Sequence, residues 1–279
     1  MTRPLRLELP GAIHHVTARG NAREPVYHDE TDRVQWSETL GNTASRFGWL
    51  VLGYCQMGNH YHLLVETPQP NLSRGMRQLN GVYAQRFNRR HDRVGHVFQA
   101  RFHATLIERS EHLLAVSAYL PLNPVRAGLC TEPAQWRWSS YRATIGLEPP
   151  RYLAIGRLLA FFGDGRDAAR ERYRAHVEAS VDESVAAELE HSVIVGSDDF
   201  ARAVTREVAP RREIARRHWQ PVRPSLGELL ARPSNEAIAR AYSRYGYTMG
   251  EIADHVGVHY ATVSRRLRRH EAALSECKT

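Results

Sequence analysis

The alternation of apolar and polar positions predicts strands in three stretches of the first half of the chain. Residues 14–18, 49–66 and 97–108 are rich in β-branched, aromatic and other apolar side chains and are bounded by Gly, Asn and Pro, the composition that suits a pleated, half-buried element. Between the second and third stretches, Leu72, Met76, Leu79, Tyr83 and Phe87 recur at spacings of four, three, four and four. Such a stripe predicts an amphipathic helix over residues 72–87, with Arg74, Arg77, Arg86, Arg89 and Arg90 supplying its charge. A further helix is predicted over about residues 111–120, with Ser110 as N-cap and Glu111 in the first turn, where a negative charge meets the positive end of the helix dipole. Strands and helices alternating in this way predict an α+β domain with helices packed on a sheet.

Punctuation divides the rest of the chain. The prolines of Glu148-Pro149-Pro150 mark a boundary, since proline continues neither a helix nor a central strand. Residues 201–232 carry eight Arg against three acids and include Pro210, Pro221 and Pro224, which reads as a basic linker with at most short helices. Beyond it, residues 235–245, 249–256 and 260–269 read as three helices. Thr248-x-x-Glu251 is a capping-box pattern, and Gly257 permits a tight turn before the third helix. Ala253, Gly257 and Val263 fall at the spacing of a helix-turn-helix. The expected division is an α+β domain over residues 1–148, a helical and basic linker region over 149–232, and an all-α helix-turn-helix module over 233–279.

Composition narrows the class. With 42% hydrophobic and 24% charged residues among 279, the chain has the make-up of a globular protein and not of a disordered or collagen-like one. The most apolar run, residues 153–162, is interrupted by Arg157 and falls short of the ~18 residues a bilayer span needs. The first residues lack the apolar core of a secretory signal, so a cytoplasmic location is expected. Cys55, Cys130 and Cys277 are far apart and in no disulfide or metal-ligand spacing. The net charge of +8 comes from 38 basic residues, all Arg except Lys278, and is compatible with a nucleic-acid partner. Residues 176–200 reverse the trend, with seven acids and no Arg or Lys. They read as a solvated helix, or alternatively as an autoinhibitory mimic of DNA.

Two stretches carry candidate chemistry. In Tyr54-Cys55-Gln56-Met57-Gly58-Asn59-His60-Tyr61-His62-Leu63-Leu64-Val65-Glu66, a strand through His60 places the side chains of His60 and His62 on one face and Tyr61 on the other. Imidazoles about 7 Å apart at their Cα positions can converge on one divalent ion, although His-x-His standing alone is weak evidence and reads more readily as two polar residues at a strand start. In Ala118-Tyr119-Leu120-Pro121-Leu122-Asn123-Pro124-Val125-Arg126-Ala127-Gly128-Leu129, Tyr119 on its own reads as a core tyrosine with its hydroxyl at the rim. Pro121 removes a helical hydrogen bond and Pro124 biases Asn123 away from the α region, so the helix is expected to kink or end there.

Taken together, Gly11-Ala12-Ile13-His14-His15-Val16-Thr17-Ala18-Arg19-Gly20-Asn21, Met57 through Leu64, Gly95-His96-Val97-Phe98-Gln99-Ala100-Arg101-Phe102, Tyr119 through Leu129 and Trp138-Ser139-Ser140-Tyr141 fall in one order and spacing. That set resembles the single-tyrosine HUH transposases of small bacterial insertion sequences, most closely the REP-associated tyrosine transposases. The resemblance implies a ferredoxin-like antiparallel sheet with packed helices, His60 and His62 as metal ligands, Asn123 as the third ligand and Tyr119 as nucleophile. It implies cleavage and rejoining of single-stranded DNA at palindromic hairpins, through a 5′-phosphotyrosine and with Mg²⁺ or Mn²⁺. Arg19, Asn21, Arg74, Arg77 and Arg101 are candidate contacts to the strand. Tyr260, Thr262, Ser264, Arg265 and Arg266 are candidates for double-stranded DNA through the helix-turn-helix. Two other readings stand beside this one: a non-catalytic, sequence-specific DNA-binding regulator that keeps the fold, and a metal-dependent nuclease that uses water. Neither a membrane partner nor a particular oligomeric state, monomer or homodimer, is implied.

Overall fold

The computed structural model describes residues 7–180, 184–208, 225–243, 247, 249–260, 262–267 and 269, which fall into two compact units, one spanning Arg6–Glu190 and one from His191 onward. The first begins β1 (Ala12–Arg19), α1 (Glu30–Phe47), β2 (Leu50–Gln56), β3 (His60–Thr67), α2 (Leu72–Arg90), β4 (His103–Ile107) and α3 (Glu111–Arg126). These strands lie in the order β2-β3-β1-β4 with every neighbouring pair antiparallel. The fold is thus α+β with a ferredoxin-like sheet, as the resemblance implied. Two expected strands are redrawn. The run over 49–66 is a hairpin, β2 and β3, turning through residues 57–59. The run over 97–108 is strand only in β4, and residues 97–102 form an irregular segment held by Asn21 N donating to Val97 O at 2.9 Å and Gln99 N to Arg19 O at 3.0 Å.

Hydrophobic patterning does not flag α1, and its threonines explain why. Trp36, Leu40 and Ala44 face the core, but Thr39 and Thr43 are buried among them. Their hydroxyls donate to the carbonyls of Gln35 and Thr39, both at 2.7 Å, so neither hydroxyl loses its bond on burial. Asp29 caps the start by accepting from Asp32 N at 3.1 Å, and Gly48 ends the helix at φ 66°, the left-handed conformation glycine adopts without penalty. Together α1 and α2 cover one face of the sheet in a core that includes Trp36, Leu40, Tyr61, Leu63, Met76, Leu79 and Tyr83. Buried Asp32 ties the start of α1 to the end of α2, accepting from Arg90 Nη1 at 2.6 Å and lying 2.9 Å from His91 Nε2.

On the other side, α3 lies against β2 and β3. It does not end near residue 120 but runs to Arg126 with Pro121 and Pro124 inside it. Each proline denies a bond to the carbonyl four residues earlier, and both carbonyls are satisfied from elsewhere. Tyr173 Oη donates to Ser117 O at 3.1 Å, and Asn123 Nδ2 reaches Leu120 O at 3.5 Å and Tyr119 O at 2.8 Å. The predicted N-cap is present, with Ser110 Oγ accepting from His112 N at 3.4 Å. α4 (Tyr141–Thr144), before the Pro149-Pro150 break, and α5 (Ile155–Leu159) and α6 (Arg166–Ala179), after it, share a core with α3 built on Ala118, Tyr141, Ile155, Leu158, Tyr173 and Val177.

The acidic stretch is not simply a solvated helix. It spans the end of α6 and α7 (Ser184–His191), and Val177, Val185 and Leu189 are buried. The second unit contains β5 (Ile194–Val195), α8 (Asp198–Val208), α9 (Leu226–Leu229), α10 (Asn235–Ser243) and α11 (Met249–Val256), with helix again at 262–267. Its core joins Leu229, Ile238, Ala241, Ile252, Ala253, Val263 and Leu267, and Gly257 turns the chain at φ 69°. Half of the expected basic linker, residues 209–224, lies outside the described residues, as do Tyr245, Thr248 and Arg268. Among the described residues no helix is long and apolar enough to cross a membrane.

Candidate active site

Strand alternation gathers the chemistry on the α3 side of the sheet. His15, Thr17 and Arg19 of β1 share a face, as do His60 and His62 of β3 and His103 and Thr105 of β4. The register sets Thr17 opposite both His62 and His103, and Arg19 opposite His60. On α3, Tyr119 and Asn123 are one turn apart, on the same side of the helix. All of these except Thr105 line one cavity of about 380 Å³, completed by Gln99, Ala100 and Arg101 and by Ala186 and Leu189 of α7. The Leu189 carbonyl lies 3.1 Å from His103 Nε2 and accepts from Thr105 Oγ1 at 3.2 Å, which fixes α7 at the cavity wall.

Hydrogen bonds constrain the two expected ligands. Asn59 Nδ2 donates to Arg23 O at 3.0 Å, which turns its Oδ1 to His60 Nδ1 at 2.7 Å. An amide oxygen only accepts, so His60 Nδ1 carries the proton and the lone pair of the neutral ring is on Nε2. His62 Nδ1 lies 3.0 Å from His15 Nε2, the two rings stacked with centroids 5.2 Å apart. His62 Nε2 and His15 Nδ1 are buried and have no hydrogen-bond partner among the described residues. A cation at His62 Nε2 fits this orphaned atom and selects the tautomer in which His62 Nδ1 donates to His15. Burial, reinforced by His15, His60 and Arg19, holds the His62 imidazole well below its ordinary pKa, and burial with His103 nearby lowers that of His15 to about 3. Both rings are neutral at physiological pH, and the neutral imidazole is the metal-binding form. No three His, Cys, Asp or Glu side chains cluster as a metal site among the described residues.

The Tyr119 ring stands edge-on to His62 with centroids 5.4 Å apart and to His15 at 6.0 Å. The Arg126 guanidinium lies 5.4 Å from the centre of the Tyr119 ring. Asn123 gives its Nδ2 to the helix backbone and keeps Oδ1 as its acceptor. His60, His62, Tyr119 and Asn123, expected to act together, are therefore together. His15, Asn59, His103 and Arg126 join them although sequence reasoning gave them no role. His15 is the one with a signal in the sequence, since only one member of the His14-His15 pair can face the cavity.

The expected DNA contacts separate. Arg19 and Arg101 line the cavity. Arg77 lines a neighbouring groove. Asn21 is exposed at a short 3₁₀ turn whose Ala22 and Arg23 have φ of 50° and 62°. Arg74 lies 5.9 Å from the centre of the Phe47 ring and lines neither space. In the second unit Tyr260 is 52% exposed, Arg265 is exposed, and Thr262 and Ser264 are half-buried. Arg266 instead binds its own module, donating to Asn235 Oδ1 at 2.8 Å and Pro233 O at 2.6 Å.

Comparison with known proteins gives a family model described as "Transposase IS200 like", matched by residues 10–122. No curated protein matches the chain. A solved structure, titled "Structure of the REP associates tyrosine transposase bound to a REP hairpin", is similar at 17% identity and a TM-score of 0.46, over 54% of this chain and 90% of that one. The matched residues run from the strand that carries His15 to the helix turn that carries Tyr119, and over them the chain is similar to the IS200-like transposase family.

Proposed function

We propose that this protein cleaves and rejoins single-stranded DNA at palindromic hairpins as a REP-associated tyrosine transposase, with Tyr119 as the nucleophile. The observation that carries the proposal is the convergence of His60, His62, Tyr119 and Asn123, drawn from β3 and α3, on one cavity. A phenol with an ordinary pKa near 10 is a weak nucleophile at neutral pH. The Arg126 guanidinium lies over the Tyr119 ring, a cation–π contact that helps to hold the ring in place. Tyr119 Oη attacks phosphorus, the bond to the 3′ oxygen breaks, and that oxygen leaves as a 3′-hydroxyl, with the 5′-phosphate on the tyrosine. Attack by another 3′-hydroxyl reverses the exchange, and one phosphodiester replaces another without a nucleotide cofactor. His60 and His62, through Nε2, and Asn123, through Oδ1, are the residues that would hold Mg²⁺ or Mn²⁺. Such an ion supplies charge neutralisation at a non-bridging phosphate oxygen. Arg19 and Arg101 at the cavity wall hold the strand through its phosphates. In the second unit, Tyr260, Thr262, Ser264 and Arg265 are assigned to double-stranded DNA, with residues 233–279 acting as a helix-turn-helix.

The test is incubation of labelled single-stranded DNA carrying the palindromes that flank the gene with protein and Mn²⁺, resolved on a denaturing gel. A protein-linked band is expected from the wild type and is lost with Tyr119→Phe or chelator. Binding without any adduct from the wild type would overturn the enzyme in favour of a regulator. Cleavage undiminished in Tyr119→Phe would reassign it to a water-using nuclease.

A further inference from the structure

The two glycines of α2 have different explanations. A Cβ at Gly75 would overlap the Trp49 indole, so packing requires that glycine. At Gly81 a Cβ would meet nothing within 4 Å, and the backbone there is ordinary helix. A glycine in mid-helix is destabilising relative to alanine, and nothing among the described residues requires this one. The space it opens into is a groove of about 640 Å³ between α2 and the irregular segment 95–102. Gln99, Ala100 and Arg101 line this groove and the Tyr119 cavity alike, so the two spaces share a wall. Arg77 and Arg101 are exposed on its rim, and neither pairs with a carboxylate among the described residues. Phe98 on its floor is half-buried.

We infer that this groove is the track of the DNA strand on one side of the scissile phosphate, with the sugar-phosphate backbone passing over Gly81, phosphates meeting Arg77 and Arg101, and a base placed on Phe98. The assignment rests on the proposed DNA reaction and adds a path to it. Charge selects the occupant: two guanidinium groups that meet no carboxylate among the described residues, set along an apolar floor, match a polyanion with stacking faces, whereas an apolar peptide would leave both of them unmatched. The missing Cβ is what lets a backbone approach the helix closely.

The path is tested with single strands extended stepwise on each side of the cleavage site, comparing wild type, Gly81→Leu and Arg77→Ala in binding and in adduct formation. Wild-type affinity should rise with length on one side only. Gly81→Leu should forfeit that rise, a loss on the order of tenfold, the worth of about one base contact, and the deficit should shrink as the strand is shortened. Arg77→Ala should reduce the slope of log affinity against log salt by about 0.7 for a single-strand phosphate contact. Gly81→Ala is the folding control and should raise Tm. If the wild type forms its adduct and both variants follow its length and salt dependence, the groove assignment is overturned and the reaction stands. If the wild type binds no single strand, both fall.

Discussion

The Tyr173 hydroxyl donates to the Ser117 carbonyl at 3.1 Å, the carbonyl that Pro121 leaves without its helical partner. Tyr119 lies two residues beyond that carbonyl, so α6 supports the turn that presents the proposed nucleophile. Tyr173→Phe leaves a buried acceptor unsatisfied, and a loss of about 1–3 kcal/mol in unfolding free energy is expected. Urea denaturation reads this directly, and a slower adduct at unchanged DNA affinity would place the damage at Tyr119. A variant as stable as the wild type would show that the proline turn needs no such support.

His15 is expected to matter for metal because it orients His62. Removing the outer partner of a ligating histidine typically weakens binding by about 10–100-fold, so His15→Ala should reduce Mn²⁺ affinity to that degree in calorimetry. His62→Ala should abolish it, and Tyr119→Phe should leave it intact. Equal Mn²⁺ affinity in His15→Ala and the wild type would remove His15 from the site.

Acid should destabilise the metal-free protein before its carboxylates protonate. Burial lowers the pKa of His14 to about 4, and that of His15 to about 3, from an unfolded value near 6.5. Between those values the unfolded chain binds protons that the folded chain refuses, so stability is complete above pH 6.5 and falls as pH drops toward 4, by up to about 1.4 kcal/mol per pH unit for each histidine. His14→Gln should flatten this dependence when urea midpoints at pH 7 and pH 5 are compared in EDTA. Parallel slopes for variant and wild type would exclude His14 as a source.

Alanine at the two glycines of α2 should act in opposite directions. Gly75→Ala forces the Trp49 indole to shift and should cost about 1–3 kcal/mol, as overpacking does. Gly81→Ala gains helix propensity in open space and should add roughly 0.5–1 kcal/mol. Thermal melts of the two variants, moving in the same direction, would contradict this account.

The sequence alone determined what local periodicity can encode. Alternation along β3 put His60 and His62 on one face, the apolar stripe from Leu72 to Phe87 made α2, Ser110 began α3, and the ordered motifs pointed to the family. Tertiary structure decided what depends on partners distant in the chain. α1 escaped hydrophobic patterning because Thr39 and Thr43 fill core positions with their hydroxyls returned to their own helix. α3 outlasts Pro121 because Tyr173, 56 residues beyond Ser117, supplies the Ser117 carbonyl with the donor the proline lacks. His15 meets His62 only through the register of β1 on β3, and the acidic stretch buries Val185 and Leu189, with the Leu189 carbonyl reaching β4. A helix or strand period is written within a few residues, whereas the donor that rescues a carbonyl, or the ring that orients a ligand, is fixed only once the sheet and its helices have packed.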